Sequence, residues 1–330
     1  MSDMRLSEDL EPIAACPLPW ERLRNKRIFI TGATGFIGSY LVEALCWLDS
    51  RLSLGLKIGL FHRIGTQPTV STPCIRWVAG DIARAFLPED FWPDIIIHGA
   101  SPANQRAILS DPAGVVSCNI LATRYLLECA RKNRSTFLFF SSGEVYRRGP
   151  EKIVETSAGE LAQNSLLSLY GSSKLAGELL CEQYRRSYDT ECRILRLFSI
   201  FGPGEALTSG RCFTDFLAQA QETHSIRING PGTQVRSFCY LSDFVSGLLF
   251  ILLCGEGTVY NVGNEDNTAS ILGLARQIAE VQDNTAVIGP LTTSTQIDAY
   301  VPDTTKLRQL GWRPQVDLKT CIKRCLDSYR

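Results

Sequence analysis

Tyr170 and Lys174 stand four residues apart in Tyr170-Gly171-Ser172-Ser173-Lys174. On a helix that spacing puts a phenol and an ammonium on one face, a turn from each other. A phenol with an ordinary pKa of about 10 is a weak base at neutral pH, and a neighbouring ammonium favours its ionised form. The pair reads as an acid–base device for a hydroxyl or a ketone. The apolar run 137–140 leads into Ser141-Ser142-Gly143-Glu144-Val145-Tyr146. Ser142 thus arrives at a strand end, where its hydroxyl can bond the oxygen that Tyr170 deprotonates.

A second chemistry belongs to Thr31-Gly32-Ala33-Thr34-Gly35-Phe36-Ile37-Gly38, which follows the apolar Ile28-Phe29-Ile30 and precedes an amphipathic stretch from Tyr40. Strand, glycine turn and helix come in the order that a dinucleotide site requires. Gly32 permits the tight turn, Gly35 lets backbone approach a pyrophosphate, and Gly38 lets helix pack on strand. Phe36 and Ile37 open the helix whose N-terminal N–H groups face the anion. The next strand ends in His62-Arg63 with no acid for a ribose 2′-hydroxyl. Arg63 suits a 2′-phosphate instead, so NAD and NADP both stay open, with a lean to NADP.

The elements that must hold these groups alternate. Strand signals fall at 27–30, 57–61, 75–78, 95–98, 137–140 and 193–198, with helical stretches between them, notably 114–132 and 170–188. Short apolar runs of this kind are strands buried on both faces, and their alternation with helices predicts a parallel, doubly wound Rossmann-type sheet. After Phe201-Gly202-Pro203-Gly204 the regularity breaks into a smaller α/β lobe with a helix at 213–222, a strand at 225–228 and a helix at 271–281. The expected division is an N-terminal extension 1–25, a dinucleotide-binding domain 26–201 rejoined by 236–264, and a substrate-binding lobe of 202–235 and 265–330. Residues 1–25, with their acids and prolines, read as an arm on the surface or a partly disordered tail.

Bulk composition narrows the partners. The 330 residues carry 34 Lys and Arg against 34 Asp and Glu, which gives no footing for nucleic acid or a charged membrane surface. No run approaches the roughly 18 apolar residues of a membrane span, and the N-terminus has no signal-peptide core. Twelve cysteines and three histidines scatter singly, and Cys321 with Cys325 makes a poor metal site, so no metal is expected. Reduced thiols point to a cytoplasmic protein.

Taken together and in order, the motifs resemble those of the extended short-chain dehydrogenase/reductases that modify nucleotide sugars. The matches are Thr31–Gly38, Gly80-Asp81-Ile82, His98-Gly99-Ala100-Ser101-Pro102, Asn119-Ile120-Leu121-Ala122-Thr123, Ser141–Tyr146, Tyr170–Lys174, Arg196–Gly204, Arg236–Asp243 and Leu310-Gly311-Trp312-Arg313-Pro314. They cover nearly all the chain beyond residue 25. The resemblance implies that Asp81 and Ile82 meet the adenine, Ala100, Ser101 and Asn119 belong to the cofactor site, and Lys174 also bonds the nicotinamide ribose. It makes Ser142, Tyr170 and Lys174 the catalytic triad, with Arg236 and Ser199 on the nucleotide diphosphate of the substrate and a homodimer as the assembly. The shared chemistry is oxidation of a sugar 4-hydroxyl by bound NAD(P), followed by decarboxylation, dehydration or epimerisation of the 4-ketone.

Glu144 occupies the place where resembling dehydratases and decarboxylases carry a glutamate. Gly143 stands where thymidine-diphosphoglucose dehydratases have an aspartic acid. Ala100-Ser101-Pro102-Ala103 and Ser209-Gly210-Arg211-Cys212-Phe213 are similar to segments of the uridine-diphosphate-glucuronate decarboxylases, with Arg211 suited to a carboxylate or phosphate. That gives decarboxylation a narrow lead over a dehydratase or 4-epimerase. An NADPH-dependent keto-sugar reductase and a non-catalytic nucleotide-sensing module are the other readings. Ser199, where relatives usually have asparagine, is the departure nearest the substrate.

Overall fold

A computed structural model describes residues 3–65, 72–82, 84, 87–146, 149, 151–159, 168–289 and 298–329. Six strands, β1 (Arg27–Thr31), β2 (Lys57–Arg63), β3 (Ile75–Gly80), β4 (Ile95–His98), β5 (Thr136–Ser142) and β6 (Cys192–Leu197), combine with Val259–Val262 in one sheet. The order is Val259–Val262, β6, β5, β4, β1, β2, β3, and every neighbouring pair is parallel. The order reverses between β1 and β4, which opens a crevice at the carboxyl ends of the strands, where ligands bind in such sheets.

Alternation along each strand explains the two covered faces. Ile28, Ile30, Ile58, Leu60, Ile95 and Ile97 enter one core with the helices Phe36–Leu52 and Leu241–Cys254. Phe29, Phe61, Ile96, Phe137 and Phe139 enter the opposite core with the helices Ala122–Asn133 and Ser168–Tyr188. Successive side chains in a strand point to opposite faces, so strands apolar throughout need helices on both.

The smaller lobe has its own core of Phe201, Phe213, Leu217, Ile226, Leu274, Ile322 and their neighbours. Its strand Val235–Ser237 pairs antiparallel with Thr268–Ser270 and parallel with Ala299–Tyr300.

Two expectations change. Residues Asp3–Ala14 form a helix, and Leu6, Leu10 and Ile13 are buried in the first core, so this segment is neither a loose arm nor a tail. Acidic residues and Pro12 hide a periodicity of three to four apolar positions. Buried Asp9 accepts a hydrogen bond from Tyr40 (3.1 Å) and pairs with Arg324. The helix expected over 114–132 is interrupted by a π turn at Ser117–Leu121. On the two helices of this face, Leu126 and Leu127 are buried against the sheet, whereas Leu179 is 64% exposed.

Candidate active site

The glycine turn is shaped by close approach. Gly32 has φ +80°, in the left-handed region, and its missing side chain leaves room for the Gly99–Ala100 backbone, whose nearest atoms lie 2.7 Å from where a Cβ would stand. A Cβ on Gly38 would overlap the Gly32 carbonyl. The Gly35 amide donates to the Gly32 carbonyl (3.0 Å), and no side chain caps the helix that starts at Phe36. Its first N–H groups therefore face the crevice, which suits a pyrophosphate.

Behind this turn lies a buried relay. Burial pushes His98 down to about 3, so the ring is neutral. Its Nε2–H donates to the Cys118 carbonyl in the π turn (2.9 Å), which makes Nδ1 the acceptor from the Thr31 hydroxyl at 2.6 Å. Thr31 in turn accepts the Ala100 N–H (3.3 Å). The ends of β1 and β4 are thereby tied to the helix beside them.

A cavity of about 1410 Å³ runs from Gly32, Gly35, Phe36, Ile37 and Gly38 past Ser101 to Ser142, Glu144, Tyr170 and Lys174, and on to Ser199, Arg211 and Arg236. Pockets for a single small ligand span about 300–1,000 Å³, so there is room here for a cofactor and a substrate together. The cradle that any Cβ would fill, the uncapped helix end and the length of the cavity fit a nicotinamide dinucleotide.

At its centre, Ser142 ends β5, accepts the Glu144 N–H (3.1 Å) and hydrogen-bonds Tyr170. Lys174 is buried and donates to the Phe140 carbonyl at 2.7 Å. One turn further along the helix, Glu178 pairs with Arg196 of β6 (2.5 Å) and accepts from Ser141 (2.5 Å), which steadies the end of β5. The expected acidification of Tyr170 by Lys174 is reversed in the protein alone. Burial pushes the Tyr170 phenol up to about 12, only partly offset by the Ser142 hydrogen bond, and burial pulls the Lys174 ammonium down to about 7. With Lys174 aimed at a carbonyl and 5.8 Å from the Tyr170 ring centre, desolvation outweighs their mutual attraction.

Beyond Ser142, Glu144 is exposed in the cavity wall on a short 3-10 turn, Gly143–Val145. Arg211 donates to the Ile200 carbonyl (2.7 Å) and to Glu205 (3.0 Å). Arg236 lies against Asp298 (3.0 Å) and beside the Tyr300 ring. Ser199 holds φ +40°, a left-handed backbone that asparagine adopts more readily than serine.

Some expected cofactor residues stand apart from the wall. Arg63, Asp81 and Ile82 lie beyond it at the ends of β2 and β3, and Ala100 offers its amide to Thr31 instead. Asn119 is fully buried behind the helix Ser168–Tyr188, donating to Ser173 (2.9 Å). Sequence reasoning missed Glu205 and Tyr300, both buried in the cavity wall and both lacking a local motif.

The family model described as the NAD dependent epimerase/dehydratase family matches residues 28–263. UDP-glucuronic acid decarboxylase 1 of Arabidopsis thaliana is 31% identical over 319 residues, covering 93% of this chain and 70% of that protein. UDP-glucuronic acid decarboxylase 5 of the same plant is 30% identical and covers 93% and 90%. Among solved structures, the UDP-glucuronic acid 4-epimerase of Bacillus cereus with UDP-glucuronic acid and NAD superposes at TM-score 0.77 with 26% identity, over 92% of this chain and 98% of that one. The seven-stranded parallel sheet, the glycine cradle and these likenesses agree, and the chain belongs to the NAD dependent epimerase/dehydratase family of enzymes.

Proposed function

We propose that the protein oxidises the C4 hydroxyl of a nucleotide-diphosphate sugar with bound NAD(P) and then decarboxylates the 4-keto sugar, UDP-glucuronate being the substrate that its relatives favour. The observation that carries this reading is one continuous cavity joining the glycine cradle to Ser142, Tyr170, Lys174 and Glu144.

Gly32, Gly35 and Gly38 with the N-terminus of the helix from Phe36 would hold the pyrophosphate, and Ser101 and Lys174 the nicotinamide half. When bound, the cofactor supplies the acceptor for the C4 hydride and returns it later. Tyr170 takes the proton of the 4-hydroxyl, while Ser142 holds that oxygen through a hydrogen bond. The cationic form of Lys174 steadies the phenolate that results. Once C4 is a ketone, a carboxylate at C6 belongs to a β-keto acid: the C5–C6 bond breaks as carbon dioxide leaves, its electrons pass into the C4 oxygen that Tyr170 protonates, and the enol takes a proton at C5 to regain the ketone before hydride returns to C4. Glu144 stands beside C5 and C6, Arg211 takes the substrate's carboxylate or phosphate, and Arg236 and Ser199 hold the diphosphate, a task suited to a planar fork of donors.

Gly143 separates this reading from the dehydratases that carry an acid there, because a Cβ at 143 would overlap the Tyr300 hydroxyl. A homodimer packed across the helices Ala122–Asn133 and Ser168–Tyr188, with exposed Leu179 and Tyr188 in the contact, and a cytoplasmic location complete the proposal.

Incubation with a panel of nucleotide sugars and mass spectrometry of the products tests it. Loss of one carbon dioxide from UDP-glucuronate is the expected result. Loss of water, an unchanged mass with altered retention, or stoichiometric consumption of NADPH would replace decarboxylation by dehydration, epimerisation or reduction.

A further inference from the structure

The turn Gly143–Val145 carries Glu144 into the cavity and is closed by the Tyr146 amide on the Gly143 carbonyl (3.0 Å) and the Glu144 amide on the Ser142 hydroxyl (3.1 Å). Ser142, before it, is fixed three ways: by its place in β5 opposite Leu197 of β6, by Tyr170, and by the Glu144 amide it accepts. Gly143 has no side chain, and the space one would occupy is filled from the other lobe. The Tyr300 hydroxyl overlaps the position of a Cβ on Gly143, and the edge of the Phe198 ring lies 2.8 Å from it.

Tyr300 is itself rigidly seated. Its ring packs on Phe198 with centroids 4.7 Å apart. The Ala299 amide donates to Gly149 (3.2 Å) and the Val301 carbonyl accepts from Ile153 (2.9 Å), both in the segment that follows the turn. On its other side the strand pairs Tyr300 with Arg236, and Asp298, two residues earlier, holds the Arg236 guanidinium. One short strand thus touches both the arginine at the nucleotide end and the turn at the sugar end.

We propose that Tyr300 is the positioning residue for Glu144: its hydroxyl supports the Gly143–Val145 turn from the sugar-binding lobe and sets Glu144 for the step that follows C4 oxidation. This deepens the two-stage reading above and rests on it. Because Ser142 keeps its anchors in β6 and Tyr170 whatever happens to the turn, loss of the Tyr300 hydroxyl moves the second stage and spares the first. It also means that no side chain can be added at residue 143 while Tyr300 stands where it does.

The test separates the two stages. Tyr300→Phe is examined in single turnovers for appearance of the reduced nicotinamide and for final product with UDP-glucuronate. C4 oxidation should stay within about threefold of the parent while product formation falls about 10–100-fold, the scale of an ångström-level misplacement, and the keto sugar should accumulate. Gly143→Ala should show the same split, and adding Tyr300→Phe to it should recover part of the loss by making room for the methyl. The inference is overturned if both stages fall together, if neither falls, or if the double variant is no better than Gly143→Ala. Should Tyr300→Phe not fold, the Gly143→Ala split decides. A parent protein that never reduces its cofactor with any nucleotide sugar would sink the two-stage reading itself, a result distinct from all of these.

Discussion

The two ends of the cavity are built in opposite ways. The cofactor end is made of backbone: Gly32, Gly35 and Gly38 lie within seven residues, and what matters is where side chains are missing. The sugar end is made of side chains from segments far apart in the chain, Glu144, Arg211, Arg236 and Tyr300. Local construction gives a cradle that any dinucleotide of the class can use. Assembly from distant parts gives a site whose chemistry changes when one partner changes, which is where a family sharing one fold would vary its products.

Substitutions can break that contrast. Tyr170→Phe, at the junction of the two ends, should lower turnover about 10²–10⁴-fold, the usual weight of a positioned proton-transfer group, while calorimetry shows cofactor binding unchanged. Gly38→Ala should do the reverse: the methyl meets the Gly32 carbonyl, so cofactor affinity collapses, and overpacking costs about 1–3 kcal/mol of stability in thermal unfolding. At the sugar end Arg236→Ala should raise KM about 10–100-fold with a smaller change in kcat, as expected for lost charge-assisted hydrogen bonds; an unchanged KM would show that Asp298 keeps Arg236 from the diphosphate.

A smaller effect sharpens the comparison through pH. Burial holds the Lys174 ammonium at about 7, against 10.5 for an exposed lysine. Between those values the unfolded chain binds a proton that the folded protein lacks, so stability of the cofactor-free protein should rise as pH climbs from about 7 towards 10.5. Lys174→Met should flatten that rise in denaturant titrations at several pH values.

The same contrast explains what could be read from the chain. The strands of the large sheet were legible because Ile28, Phe29 and Ile30 are apolar on successive, opposite faces, a pattern only a doubly covered strand requires. The glycine turn and the Tyr170–Lys174 spacing were legible because each is local. The N-terminal helix was not, since its apolar positions Leu6, Leu10 and Ile13 are spaced among acids and Pro12 sits inside it, a residue that reads as a helix breaker. Tyr300 carried no signal, because its contact with Gly143 exists only after the lobes fold together, and Glu205 carried none, because nothing in the stretch from Glu205 to Arg211 marks the ion pair they make. The electrostatics of Tyr170 misled for a related reason: spacing predicts neighbours, while the depth of burial that outweighs their attraction is a property of the whole packed site.

The most direct test uses UDP-glucuronate carrying deuterium at C4. Transfer of that hydrogen to the bound cofactor and back predicts a primary isotope effect on turnover, retention of the label at C4 of a pentose product, and turnover about 10²–10⁴-fold lower in Tyr170→Phe. Turnover with no isotope effect, or undiminished in Tyr170→Phe, would contradict the account.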